Sequence, residues 1–164
     1  MEIAIRDWEP SDFERIASLW VRAYERVALP DAPLRGDADR ALTRWLSERF
    51  RDRKSMGYIG ERGGAFAGFV LGRVGEWESD PPILKRRRVA MIDVVYVLEA
   101  HRRSGVATRM VQYVIERAEK RGASALETTF EIVSEPAKNL WSSLGFEPWI
   151  ERAYRPIKRS SSKQ

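Results

Sequence analysis

The chain contains no cysteine and a single histidine, His101, among its 164 residues. The missing cysteine excludes disulfides, zinc–thiolate sites and thiol nucleophiles. The lone histidine excludes multi-histidine metal centres, and a Ser-His-Asp triad would have to use His101 itself. No apolar run reaches the roughly 18 to 20 residues that span a bilayer. The opening residues Met1, Glu2, Ile3, Ala4 and Ile5 carry neither the basic nor the apolar region of a signal peptide, so the expected location is cytoplasmic. Charge of one sign is not in large excess: 29 basic against 24 acidic residues leave +5. That balance permits an anionic ligand without demanding one. Basic clusters at 85–88 and at Arg102 and Arg103 keep a nucleic-acid-binding module as an alternative, but the sequence holds no recognised RNA- or DNA-binding motif.

What is present fits one domain with a full hydrophobic core: 43% of the residues are hydrophobic and 32% charged. The expected domain covers residues 1–157, and the polar tail 158–164 is expected to be disordered. Alternation over 3–8 predicts a first strand. Ser11 and Glu14 have capping-box spacing, and Phe13, Ile16, Ala17, Trp20 and Tyr24 follow at helical intervals. A proline- and glycine-punctuated loop over 29–36 precedes a second amphipathic helix over 37–53. Strands over 56–61 and 65–74 flank the Gly63-Gly64 turn. An acidic loop over 75–82 carries Glu76, Trp77, Glu78 and Asp80. The apolar run 89–98 predicts a central strand, and 105–121 a strongly amphipathic helix that Gly122 ends. A strand over 125–133 follows. Ser134 is placed to cap a short helix up to Leu144, and 146–157 can supply one or two closing strands. The class is α+β, with a mixed sheet and one strand–helix–strand crossover that sets two strands parallel.

The segment 94–108 is the most informative. A buried strand enters a turn holding Arg102, Arg103, Ser104 and Gly105, and a long helix begins at once. The first N–H groups of a helix lack intrahelical partners and carry partial positive charge. With a glycine at the entrance and two guanidiniums beside it, such a turn suits a diphosphate. It matches neither a G-x-x-x-x-G-K-[ST] nor a G-x-G-x-x-G fingerprint.

Val95-Tyr96-Val97 followed by Arg102-x-x-Gly105-x-Ala107 resembles the acetyl-coenzyme A motif of the GNAT superfamily of N-acetyltransferases. Ala137, Trp141, Gly145 and Phe146 resemble that family's later A-x-x-x-Y-x-x-x-G-F stretch, and the expected element order is similar along almost the whole chain. The resemblance implies a GNAT-like fold whose two parallel strands splay apart to admit acetyl-CoA as co-substrate. It implies acetyl transfer to a primary amine by direct attack on the thioester. Backbone groups of Val95 and Val97 would pair with the pantetheine arm, Tyr96 lying between them. Arg102, Arg103, Ser104, Gly105, Val106, Ala107 and Thr108 would surround the diphosphate, and Ser134, Asn139 and Trp141 would complete the cofactor side. No metal is implied.

For the general base the strand offers Asp93, which simple alternation would place on one face with Val95 and Val97. Glu99, Glu127 and Glu131 are weaker candidates. Where many members of the family carry a tyrosine as acid, this chain has Trp141, whose indole is no usable acid; Tyr154 is the substitute candidate, with water as the alternative. The missing tyrosine leaves a non-catalytic acetyl-CoA sensor as an alternative. Trp20, Trp45 and Phe50 read as core by their spacing. The acceptor amine is not named by the sequence, and a homodimer through a sheet edge or the final strand is an open expectation.

Overall fold

In the computed structural model the described residues are 2–27, 29, 32–79, 81–130, 134–150 and 152–155. The chain runs through β1 (Ile3–Asp7), α1 (Phe13–Glu25), α2 (Ala38–Arg51), β2 (Ser55–Arg62), β3 (Ala65–Trp77), β4 (Arg87–Val97), α3 (Val106–Lys120), β5 (Ala125–Thr128) and α4 (Glu135–Ser143). The five strands form one sheet in sequence order. Every neighbouring pair is antiparallel except β4 and β5, which run parallel with α3 as their crossover. The α+β class and the mixed sheet are as expected.

Each face of the sheet carries its own core. On one side Met110, Val111, Val114 and Ala118 of α3 pack on Val70, Val74, Ala90 and Ile92. On the other, Phe13, Ile16 and Ala17 of α1 and Leu46 of α2 cover Ile59, Phe69 and Leu71. Leu46 and Ile16 are completely buried, and each such side chain contributes about 1.5–3 kcal/mol. Trp20 and Trp45 meet edge to face with ring centroids 5.8 Å apart, packed beside this second core as their spacing predicts.

Three expectations need correction. The box at the first helix is built by Glu9 and Asp12, not Ser11 and Glu14: a short 3-10 turn over Pro10–Asp12 precedes α1. Arg6 grips the Asp12 carboxylate with two 2.8 Å hydrogen bonds, and Asp12 accepts the Glu9 N–H at 2.9 Å. The loop after Val74 starts late, because Gly75, Glu76 and Trp77 still pair with Val89, Arg88 and Arg87. No strand forms among the described residues beyond α4. Glu131, Asp80, the domain end at Ile157 and the tail lie outside the described residues; of the strand expected over 125–133, β5 ends at Thr128, residues 129 and 130 are irregular, and 131–133 lie outside the described residues.

Candidate active site

The site is organised by one extra residue in β4. Leu71 of β3 stands opposite Val94, but Gly72 stands opposite Ile92, so Asp93 has no counterpart. This is a β-bulge, and it reverses the alternation of side chains along the strand. Ala90 and Ile92 belong to the core under α3, and beyond the bulge Val95 and Val97 join that same core. Val94 and Tyr96 pack instead with the core under α1 and α2. Asp93 meets Arg49 of α2, so it lies on the face opposite Val95 and Val97, and the expectation of a shared face is overturned. Gly72 is what allows the bulge to close on β3. A Cβ there would overlap the carbonyl oxygen of Met91.

Asp93 is mostly enclosed, with 16% of its side chain exposed. Arg49 donates from Nη2 to Oδ2 at 3.0 Å, and Nη1 of Arg73 stands 3.5 Å from Oδ1. Burial pushes the Asp93 carboxyl above the usual range, and the opposing pull of Arg73 and Arg49 only partly offsets it. The Arg49 guanidinium lies over the Trp45 ring, 5.1 Å from its centroid. Neither arginine is marked by any motif; the only signal in the sequence is that an aspartate inside an apolar run needs a cationic partner.

Beside the bulge the parallel pair parts. Its last rung joins Ile92 to Thr128, where the Thr128 hydroxyl also donates to the Ile92 carbonyl at 3.2 Å. Residues 93–97 of β4 go on without a β5 partner. The Leu98 N–H donates across to Ala67 at 2.9 Å, so by alternation the polar groups of Val95 and Val97 turn to the open edge. The Val97 carbonyl accepts Nε of Arg102 there at 3.2 Å. Tyr96 is placed differently: its backbone turns towards β3, and its ring stacks on Phe69 at 5.6 Å.

The open edge leads into the α3 entrance. A 3-10 turn over Glu99–His101 is followed by Arg103 at φ 56° and Gly105 at φ 85°. These left-handed residues aim the chain into α3 with Gly105 as its N-cap, and neither a capping side chain nor an acidic residue occupies the first turn. The N–H groups of Val106, Ala107 and Thr108 therefore have no intrahelical acceptor. Val106 is buried, so it can offer a ligand only its backbone. The Ser104 hydroxyl bonds back to the His101 carbonyl at 2.6 Å. Nδ1 of His101 is buried and unpartnered. The Arg102 and Arg103 side chains are exposed beside the turn. An anion at this entrance would meet backbone donors, a favourable dipole and two guanidiniums.

The remaining candidates lie on other elements. Ser134 caps α4, accepting the Ala137 N–H at 3.4 Å. Asn139 is exposed. Trp141 is a core residue, 5% exposed and set edge to face against Phe146 at 5.0 Å; it has no open surface for a ligand. Tyr154 is half exposed and lies in irregular chain rather than in the expected strand. Glu127 is bonded by Arg87 at 3.0 Å, and Arg87 also lies over the Trp77 ring, 4.9 Å from its centroid. Next to these, a recess of about 230 Å³ is lined by Lys54, Arg73, Trp77, Met91 and Glu127. Glu99 sits in the turn before α3, away from these pairs. Among the described residues no group of acidic or histidine side chains could hold a metal ion, and no helix is long and apolar enough to cross a membrane.

Comparison with known proteins bears on this architecture directly. A segment is 46% identical over 50 residues to the uncharacterized N-acetyltransferase YsnE of Bacillus subtilis, covering 29% of this chain and 33% of that protein. Another is 30% identical over 95 residues to human N-acetyltransferase 8, covering 55% of this chain and 41% of that one. The chain thus matches well under half the length of these curated relatives. Its fold is similar to that of a predicted acetyltransferase from Clostridium acetobutylicum solved with acetyl-CoA, at a TM-score of 0.70 and 17% identity over 93% of this chain and 96% of the other. Residues 5–146, which include both parted strands, the bulge and the α3 entrance, match the model of the acetyltransferase (GNAT) family, and the chain belongs to that family.

Proposed function

We propose that the protein is an acetyl-CoA-dependent N-acetyltransferase. The observation that carries this reading is the junction of two surfaces that leave backbone donors open. The β4 edge at Val95 and Val97 runs straight to an uncapped α3 entrance, so one elongated ligand with a peptide-like arm and a diphosphate suits both. The arm adds to the sheet as a strand would. The diphosphate takes the N–H groups of residues 105–108, with Arg102 and Arg103 beside it. Ser104 serves through its backbone, since its hydroxyl is committed to the turn. Ser134 and Asn139 of the α4 region are assigned to the cofactor's other side, and Trp141 anchors α4 in the core.

The chemistry is attack of a neutral amine on the thioester carbonyl. A carbon–nitrogen bond forms, the carbon–sulfur bond breaks, the amine gives up a proton and the thiolate takes one. Alkyl ammonium groups have pKa values near ~10, so a base must act first. Asp93 is that base. Its carboxyl sits at the splay, and its raised pKa brings it closer to the working range of a base than an exposed aspartate. The bulge places it on the α2 face while the thioester arm lies along the strand edge, so amine and thioester arrive from different sides. A backbone N–H of the parted strand, at Val97, is the donor for the developing oxyanion. Tyr154 is assigned the proton for the thiolate in place of the buried Trp141.

The test uses the missing cysteine. With no thiol in the chain, coenzyme A release can be followed with a thiol reagent without protein background. Calorimetric titration with acetyl-CoA should show saturable binding, and an amine panel should contain an acceptor that releases coenzyme A above the hydrolysis rate. Absence of acetyl-CoA binding overturns the proposal; binding with no turnover for any amine favours the sensor.

A further inference from the structure

The recess beside Asp93 has a charge arrangement that selects among amines. Two carboxylates line it, Glu127 and Glu76, and Asp93 adjoins it through Arg73, which lines the recess. Each of the three has its own arginine: Asp93 with Arg49 at 3.0 Å, Glu127 with Arg87 at 3.0 Å and Glu76 with Arg88 at 3.0 Å. Two cations are left over. Arg73 reaches only the already bonded Asp93, at 3.5 Å, beyond hydrogen-bond length, and its side chain is 49% exposed. Lys54 lies over Gly75, and no carboxylate among the described residues pairs with its ammonium. Both line the recess, together with the apolar Met91 and Trp77. An acceptor with several positive charges would meet Lys54 and Arg73 with no carboxylate to spare. The volume, about 230 Å³, equals roughly eight waters at ~30 Å³ each, which suits a small molecule.

We infer that the acceptor is a small amine carrying a carboxylate next to the amino group and an apolar side chain, an α-amino acid in its simplest form. The carboxylate lies on Arg73 and Lys54, the amine points to Asp93, and the side chain lies on Met91 and Trp77. The short separation between Arg73 and Asp93 matches an amine and a carboxylate on one carbon rather than at two ends of a long chain. Guanidinium offers a carboxylate two parallel donors, and Lys54 adds a second charge. This inference rests on the acetyltransferase reading and narrows it.

The experiment compares matched sets: phenylalanine, methionine and leucine, each against its amide and its decarboxylated amine, by coenzyme A release with saturating acetyl-CoA. The carboxylated member of at least one set should exceed both neutral partners in kcat/KM by about tenfold or more, since a polar contact left unmade discriminates strongly. Arg73→Gln should collapse that ratio to within about threefold, and Arg73→Lys should restore part of it, with melting curves confirming a folded protein. Neutral members reacting as fast or faster in every set, or a ratio untouched by Arg73→Gln, overturns the inference while the acetyltransferase reading stands. If nothing turns over although acetyl-CoA binds, the coenzyme A complex is titrated with the N-acetyl derivatives of the three amino acids and with the amides of those derivatives. Tighter binding of the acids, lost in Arg73→Gln, supports the inference, and equal binding overturns it.

Discussion

Arg49 donates from Nη2 to Oδ2 of Asp93 at 3.0 Å, although 44 residues separate the two in sequence. The bond joins α2 to the bulge of β4 and holds the aspartate on the α2 face of the sheet. Asp93→Asn keeps the shape and removes the carboxylate proposed as the base. A positioned general base contributes typically about 10²–10⁴ in rate, so kcat should fall by at least about a hundredfold while acetyl-CoA affinity holds. The acid limb of the wild-type kcat/KM profile should lie above the ~3.9 of a free aspartate and vanish in the variant. The same raised pKa acts on stability. Between the unfolded value near ~3.9 and the higher folded value, the native state binds more protons than the unfolded one. The stability of wild type relative to Asp93→Asn should therefore fall as pH rises through that window, measurable by denaturant titration at several pH values.

Arg49→Gln tests the partner. Removing one of the two cations beside a buried carboxylate favours its neutral form. The acid limb of kcat/KM should move to higher pH instead of disappearing. Leaving Asp93 with one long contact to Arg73 should also cost about 1–3 kcal/mol, read as a lower denaturation midpoint. An unmoved limb would mean that Arg49 does not set the ionisation of the base.

How much of this was legible in the sequence depends on how local each cause is. The α3 entrance was legible because Arg102, Arg103 and Gly105 are neighbours, and one apolar stripe defines the helix behind them. The face of Asp93 was not. Strand alternation is local, whereas the bulge exists because Gly72, about twenty positions earlier, admits the Met91 carbonyl. Arg49 and Arg73 were hidden among many solvated arginines for the same reason. The first helix was placed well but capped wrongly, since Ser11 and Glu14 have the right spacing and Asp12 has Arg6. The strands expected over 146–157 are a different failure. None forms among the described residues there, because a strand needs a partner edge as well as a suitable sequence, and β5 pairs only as far as Thr128.

Gly72→Ala tests the origin of the bulge. The new methyl group meets backbone, the Met91 oxygen, which cannot rotate away as a side chain could. Strand separation or loss of the bulge must follow, at about 1–3 kcal/mol or more. The melting temperature should drop, and kcat should drop further than acetyl-CoA affinity, because the bulge aims Asp93 while the α3 entrance is built elsewhere. Wild-type turnover in a folded Gly72→Ala protein would show that the bulge does not position the base.

Two substitutions at Gly105 separate conformation from charge. At φ 85° the residue is left-handed, and the space around a Cβ is open, with Ile3 Cδ1 the nearest atom at 3.8 Å. Gly105→Ala should thus cost only the conformational strain, about 1–2 kcal/mol, with a modest loss of acetyl-CoA affinity. Gly105→Glu carries the same strain and adds a carboxylate where the diphosphate is expected. Its melting temperature should resemble that of Gly105→Ala, and its acetyl-CoA dissociation constant should rise by at least about tenfold more. Equal affinities in the two variants would move the diphosphate away from this helix.

Asp12 sets the acid stability of the α1 side. Its carboxylate is 6% exposed and accepts two hydrogen bonds from Arg6 at 2.8 Å and one from the Glu9 N–H at 2.9 Å. Burial opposes its charge, but the Arg6 hydrogen bonds, the Glu9 N–H and nearby Arg15 together hold it below the usual range. A depressed folded pKa gives stability that is complete above the unfolded value near ~3.9 and is lost as pH falls through the folded value. Asp12→Asn should cost about 1–3 kcal/mol at neutral pH, toward the lower end because Arg6 is 37% exposed and screened by water. The gap between wild type and variant should close only as the pH drops below ~3.9. Since Asp12 touches neither the splay nor the α3 entrance, the folded variant should acetylate as wild type does, and an activity loss without a stability loss would show that the α1 entrance reaches the site.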